Sequence, residues 1–138
     1  MTIENDIVYR PSDDEPYMNP RQLAYFRERL LYWKHEIVVE SQVTIDNLRE
    51  DTQLWSDVAD RASSETDRTI ELRARDRQRK LIAKIDAALQ RIEDGEYGYC
   101  EETGEPIGLA RLEARPIATL CLEAQERHER RERVHKDS

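Results

Sequence analysis

The stretch that decides the fold is Asn19–Ile37, NPRQLAYFRERLLYWKHEI. Asn19 suits a helix cap, and Pro20 suits the first helical position, where a missing N–H leaves nothing unpaired. Beyond them Leu23, Phe26, Leu30, Trp33 and Ile37 recur at alternating spacings of three and four. That spacing lays them along one stripe of a helix, as in a coiled-coil seam. The same register continues through Glu40, Thr44 and Asn47, so the seam turns polar. A second helix is predicted from about Ser63 to about Asp94. Its apolar residues, Ile82, Ile85, Leu89 and Ile92, lie near its far end, while Glu71–Lys80 is almost wholly charged. Antiparallel pairing sets Leu23–Ile37 opposite Ile82–Ile92 and leaves both polar ends at the turn. With about 32 residues in each arm, the hairpin would extend about 48 Å.

Outward from this core the pattern changes. Residues 1–18 carry Pro11, Pro16 and the acidic run Asp13–Glu15 without periodicity, and read as a mobile or surface-draped N-terminal arm. The hairpin occupies 19–94, with its tip at 54–62, LWSDVADRA, which lacks Gly and Pro and reads as a tight, partly helical turn. Residues 95–138 form a small turn-rich unit and a last helix from about Thr119 to Lys136. Residues 93–108, EDGEYGYCEETGEPIG, hold all four glycines of the chain, the punctuation of a compact loop-rich unit. The expected class is mainly α: a long antiparallel coiled-coil hairpin on a small globular zinc-ribbon-like base, with a C-terminal helix.

Composition limits the function. The chain has 138 residues, 22 Lys and Arg against 30 Asp and Glu, a net charge of −8 and a mean hydropathy of −0.90. No run approaches the ~18 apolar residues of a membrane span. The absence of a signal-peptide pattern points to the cytoplasm. The overall acidity argues against a general nucleic-acid binder, whose affinity comes from cations on phosphates. Charge is also unevenly placed: residues 46–67 hold seven acids and two bases, residues 68–91 eight bases and three acids. An acidic tip on a basic shaft exceeds what helix stability alone selects.

The candidate chemistry is sparse. Cys100-x-x-Thr103 and Cys121-x-x-Ala124 look like two zinc knuckles that have each lost one thiolate. Thr103 offers a neutral hydroxyl and Ala124 no donor, so two thiolates cannot close a tetrahedral structural zinc site. Zinc is therefore not expected, and the cysteines read as small buried packing groups. His128, seven residues beyond Cys121, is not at a standard ligand spacing. His35, His128 and His135 lie in charged helical surroundings without a Ser or Cys partner, so no enzyme is expected. Asp57 and Asp60 are three apart, which in a helical turn places both carboxylates on one side, with Ala62 leaving the approach open. Capping or solubilising the tip is one reading of them; reaching a cation, a basic cluster or a metal-bearing site inside another macromolecule is the other.

The tip DVADRA (57–62), the shaft ELRARDRQRKLIAKI (71–85), GYC (98–100) and RLEARPIATLC (111–121) resemble the DksA/TraR zinc-finger family of bacterial RNA polymerase-binding transcription factors. The likeness runs from about Tyr17 to Arg127. It implies a hairpin that enters the secondary channel of RNA polymerase and a tip that acts near the catalytic centre. It also implies no direct DNA binding, and altered open-complex lifetime at ribosomal RNA and amino-acid promoters, strengthened by the alarmone ppGpp. Carried over, the tip residues are Asp57, Asp60 and Ala62. The ppGpp and polymerase-rim positions are Leu81, Lys84 and Arg115, with Arg77 and Arg111 adding positive charge. The family's four zinc cysteines fall on Cys100, Thr103, Cys121 and Ala124, as in its cysteine-poor members. A family lysine that contacts ppGpp falls on Gln125, which leaves alarmone coupling open, with Arg127 or Arg130 as substitutes. A monomer is expected, since each hairpin pairs its own seam. Two other classes remain: a helical-hairpin adaptor without effect on polymerase, and a Gre-like transcript-cleavage factor that would hold a catalytic magnesium ion.

Overall fold

The computed structural model describes residues 9–54 and 58–137, apart from the side chains at 44, 48, 50–54, 58–64 and 136–137. The described residues form four helices in order: α1 (Pro20–Leu54), α2 (Val58–Asp94), α3 (Leu109–Ala114) and α4 (Leu122–Asp137). The described residues contain no strand beyond an isolated antiparallel bridge between Tyr99 and Pro106. None of the described helices is long and apolar enough to cross a membrane. The chain divides into two compact units, Leu31–Ala87 and the combination of Met1–Leu30 with Ala88–Ser138.

The start of α1 follows the sequence. Asn19 Oδ1 accepts the Gln22 N–H at 3.0 Å, capping the first turn above Pro20. In the Leu31–Ala87 unit, the two helical segments run antiparallel. Lys34 Nζ meets Asp86 Oδ1 at 2.7 Å and Ser41 Oγ meets Gln78 Oε1 at 3.0 Å. Ile37 and Ile85 are buried there, with Trp33, Leu81 and Ile82 half-buried around them. Past Ile37 the pairing is polar, as the register predicts: Gln78 Nε2 donates to Glu40 Oε2 at 3.5 Å, beside the Ser41–Gln78 hydrogen bond.

The second unit holds the larger core: Phe26, Leu30, Ala88, Tyr97, Ile107, Leu109, Leu112 and Ile117 are all buried. Phe26 packs on Tyr97 with ring centroids 5.7 Å apart and edge-on to Tyr25 at 5.1 Å. Fully burying a side chain such as Phe26 or Leu112 contributes about 1.5–3 kcal/mol.

Two expectations change. The second helix begins at Val58 rather than near Ser63. Residues 58–62 contain neither Gly nor Pro, and adding turns to an existing helix is far easier than nucleating one. The last helix begins at Leu122 rather than about Thr119. The Thr119 carbonyl accepts the Glu101 N–H at 2.9 Å and the Leu120 carbonyl accepts Arg111 Nε at 3.0 Å, bonds that tie this segment to its neighbours rather than to α4. Of the two readings of the N-terminal arm, its described part fits the surface-draped one, exposed or half-buried throughout except at Met18. Met18 is buried, and the fully buried Gln22 accepts its N–H at 2.8 Å while donating to the Ser12 carbonyl at 3.2 Å. Arg21 lies 3.9 Å above the Tyr9 ring.

Candidate functional site

The turn-rich segment between α2 and α4 is organised by a tyrosine from the N-terminal arm. Tyr17 donates its hydroxyl proton to the Gly98 carbonyl at 2.7 Å and accepts the Gly108 N–H at 2.9 Å. Gly98 is required on two counts: its φ is +91°, and a Cβ there would lie 2.8 Å from Met18 Cγ and Sδ. The Arg91 guanidinium, at the end of α2, donates to the carbonyls of Tyr99 at 2.6 Å and Glu96 at 3.0 Å. Tyr97 closes the other side by donating to the Pro116 carbonyl at 2.8 Å. The Tyr17 bonds span 81 and 91 residues and the Arg91 bonds end on backbone carbonyls, so neither leaves a periodic signal, and pattern reading misses both residues as supports of this segment.

The two knuckles come together. Cys100, Cys121 and Ala124 form one buried cluster, with Leu120 against it, and both cysteines are free. Ala124 is fully buried, a methyl group where a metal ligand would stand. The Thr103 hydroxyl lies 3.8 Å from Cys121 Sγ. Burial acts to raise the Cys100 pKa, but the Thr103 hydroxyl and the N–H groups of Cys121, Thr103 and Glu102 bond its sulfur and push it down to about 6. Hydrogen bonds to the charged form outweigh desolvation here. His128 turns to Glu102 instead of the thiols: Nε2 and Oε1 are 2.6 Å apart, and this contact, more than any other, holds the Glu102 carboxyl below its usual range. Among the described residues no group of three or more His, Cys, Asp or Glu is placed to hold a metal. Two thiols, one hydroxyl and one methyl do not make up the donor set of a structural zinc site.

The positions proposed for anion contact fall on both units. In the Leu31–Ala87 unit, Arg77, Leu81 and Lys84 follow one another at i, i+4 and i+7 along α2, which places them on one face; Arg77 and Lys84 are exposed and Leu81 half-buried. In the other unit Arg111, Arg115, Gln125 and Glu129 line a cavity of about 300 Å³. Gln125 therefore shares a cavity with two of the cations it was expected to accompany, and its amide donates to Glu129 at 3.3 Å. The suggested substitutes are placed elsewhere. Arg127 and Arg130 line a different cavity with Arg131, Val134 and His135, and Arg127 is paired with Glu102 and Glu123, both at 3.6 Å. Of the tip, Asp57 and Trp55 lie outside the described residues. Asp60 and Ala62 belong to α2, with side chains outside the described set.

This fold and site define a class: a helical hairpin joined to a finger-like unit whose metal-binding knuckles are degenerate. Residues 22–92 match the family described as DnaK suppressor protein DksA, N-terminal domain, and residues 95–130 match the prokaryotic dksA/traR C4-type zinc finger. The chain is 71% identical over 129 residues to the RNA polymerase-binding transcription factor DksA of Caulobacter vibrioides, covering 94% of this chain and 91% of that one. It is 42% identical to the factor of the same name from Escherichia coli K12, covering 91% and 83%. The solved structure of transcription factor DksA2 from Pseudomonas aeruginosa superposes with a TM-score of 0.82 at 45% identity, covering 94% of this chain and 98% of that one. The chain belongs to the DksA/TraR family.

Proposed function

We propose that this chain is a cytoplasmic transcription regulator that binds RNA polymerase through its secondary channel and alters open-complex stability together with ppGpp. The observation that carries this reading is the near full-length identity to a factor named for polymerase binding, 71% over 94% of the chain. The cationic cavity of Arg111 and Arg115 supports it, since guanidinium groups suit a polyphosphate. In this reading the α2 face of Arg77, Leu81 and Lys84 and the cavity of Arg111 and Arg115 meet the alarmone and the polymerase rim. Asp57, Asp60 and Ala62 act near the catalytic centre. The factor works by binding and not by catalysis, as a monomer and without touching DNA. A ligand that binds one promoter-complex state more tightly than another shifts that equilibrium by its differential affinity. About 1.4 kcal/mol is tenfold, and short-lived open complexes respond most. Zinc is not needed in this reading, because two thiols, one hydroxyl and the Ala124 methyl fall short of the four donors of a structural zinc site.

The test is open-complex lifetime at a ribosomal RNA promoter with cognate polymerase, comparing no factor, this protein and Asp60→Asn, each with and without ppGpp. A lifetime shortened by the wild type and unaffected by the variant, with both proteins bound to polymerase, supports the assignment. An unchanged lifetime with the wild type refutes it.

A further inference from the structure

The cavity that gathers Arg111 and Arg115 also holds an anion of its own. Resting on the reading of this cavity as a ppGpp site, we propose that Glu129 sets the threshold of the alarmone response. Its carboxylate opposes the incoming phosphates and so raises the ppGpp concentration at which the factor responds.

The placement carries the argument. Glu129 lines the same cavity of about 300 Å³ as the two arginines. A space of that volume is about 8 Å across, no wider than the Debye length of physiological salt, so charge across it is not screened away. The arginines are held from the other side. Arg111 Nε donates to the Leu120 carbonyl at 3.0 Å, and Arg115 closes the end of α3 with its N–H on the Arg111 carbonyl. Neither neutralises Glu129: among the described residues no ion pair joins it to Arg111 or Arg115. Its partner is the Gln125 amide, which donates to Oε1 at 3.3 Å from one turn earlier in α4. A glutamine steadies the carboxylate and leaves its charge whole. A lysine at 125 would stand four residues before Glu129 and offset that charge. The neutral side chain at 125 therefore has two effects on a polyphosphate: one cation fewer to bind it, and one anion left exposed to it.

The experiment measures retention of radiolabelled ppGpp by the complex of full-length factor and polymerase. Retention by polymerase alone is subtracted, and the affinity of each variant for polymerase is measured without alarmone. Glu129→Gln should lower the half-saturating ppGpp concentration about tenfold, because one screened unit charge is removed from beside a ligand that carries several. Glu129→Asp keeps the charge and should stay within about threefold of wild type. The gain from Glu129→Gln should shrink as salt rises from about 50 to about 300 mM, and should be smaller for GDP as a competitor, since GDP carries fewer charges. A merely structural role would produce neither trend. Arg115→Ala marks the site and should weaken retention about tenfold or more. If Arg115→Ala weakens retention while Glu129→Gln leaves it unchanged or lowers it, the proposal falls and the cavity reading stands. If neither substitution alters retention, the alarmone binds elsewhere and both fall. A gain that Glu129→Asp reproduces, or that salt does not reduce, also overturns the proposal.

Discussion

Replacing Tyr17 by Phe removes one oxygen and leaves its edge-to-face contact with Tyr99, at 5.6 Å between ring centroids, in place. The consequences at the two bonded groups differ. The Gly98 carbonyl keeps a second donor, the Ile107 N–H at 2.8 Å, so its loss is that of one net hydrogen bond, about 0.5–1 kcal/mol. The Gly108 N–H gives its bond to the Tyr17 hydroxyl, and loses it in a half-buried position. An unsatisfied buried donor costs about 1–3 kcal/mol, and partial access to water places this one near the lower end. Together these predict a destabilisation of about 2 kcal/mol. At roughly 3–4 °C per kcal/mol for a chain of this size, Tm should fall by about 6–8 °C. Thermal and urea unfolding followed by circular dichroism measure it, with Tyr32→Phe, at an exposed position, as a control expected within about 0.5 kcal/mol of wild type. A Tyr17→Phe variant equally close to wild type would show that the arm does not secure the turn between Gly98 and Gly108. Since Gly108 immediately precedes α3, which carries Arg111, the same variant should weaken polymerase or ppGpp binding only as far as it loosens that helix.

Further outcomes are expected. Phe26→Ala, at a fully buried site between Tyr25 and Tyr97, should destabilise by about 3–5 kcal/mol in denaturant unfolding; a loss under about 1 kcal/mol would mean that the core collapses around the gap. Tyr97→Phe frees the Pro116 carbonyl and should cost about 1–3 kcal/mol at neutral pH. Burial raises the Tyr97 pKa well above its ordinary value near 10, so at higher pH the unfolded chain ionises first and wild-type stability falls as pH climbs. The gap between wild type and Tyr97→Phe should therefore narrow above about pH 10, and a constant gap would contradict the burial argument. Gln125→Lys places a cation in the cavity of Arg111 and Arg115 and should tighten the ppGpp response by about 10- to 150-fold, as about 1.5–3 kcal/mol for a charge-assisted bond implies. An unchanged ppGpp titration would place the alarmone elsewhere. Exhaustive zinc chelation should leave Tm unchanged, and a fall of several degrees would mean that the finger unit relies on zinc after all.

Much of this protein is legible along the chain because helices report themselves locally. The capping of Asn19, the place of Pro20 and the stripe ending at Ile37 depend on residues three or four apart. The seam turns polar where the register predicts, with Gln78 bonded to Glu40. Helix ends were harder, since α2 extends through a tip with nothing to stop it and α4 is shortened by carbonyls engaged by distant groups. The six residues of α3 are too few to show a period.

The sequence by itself determined the helical hairpin, the loss of two of four knuckle thiolates and the cations available for an anionic partner, because residue type and spacing suffice for each. Only the tertiary structure decided that Tyr17 bonds Gly98 and Gly108, 81 and 91 residues away. It alone placed Gln125 with Arg111 and Arg115, and Arg127 with Glu102. The physical reason is that a hydrogen bond or a shared cavity is set by closure in space. Chain separation carries no period for such contacts, and the same tyrosine would read identically whether packed or adrift.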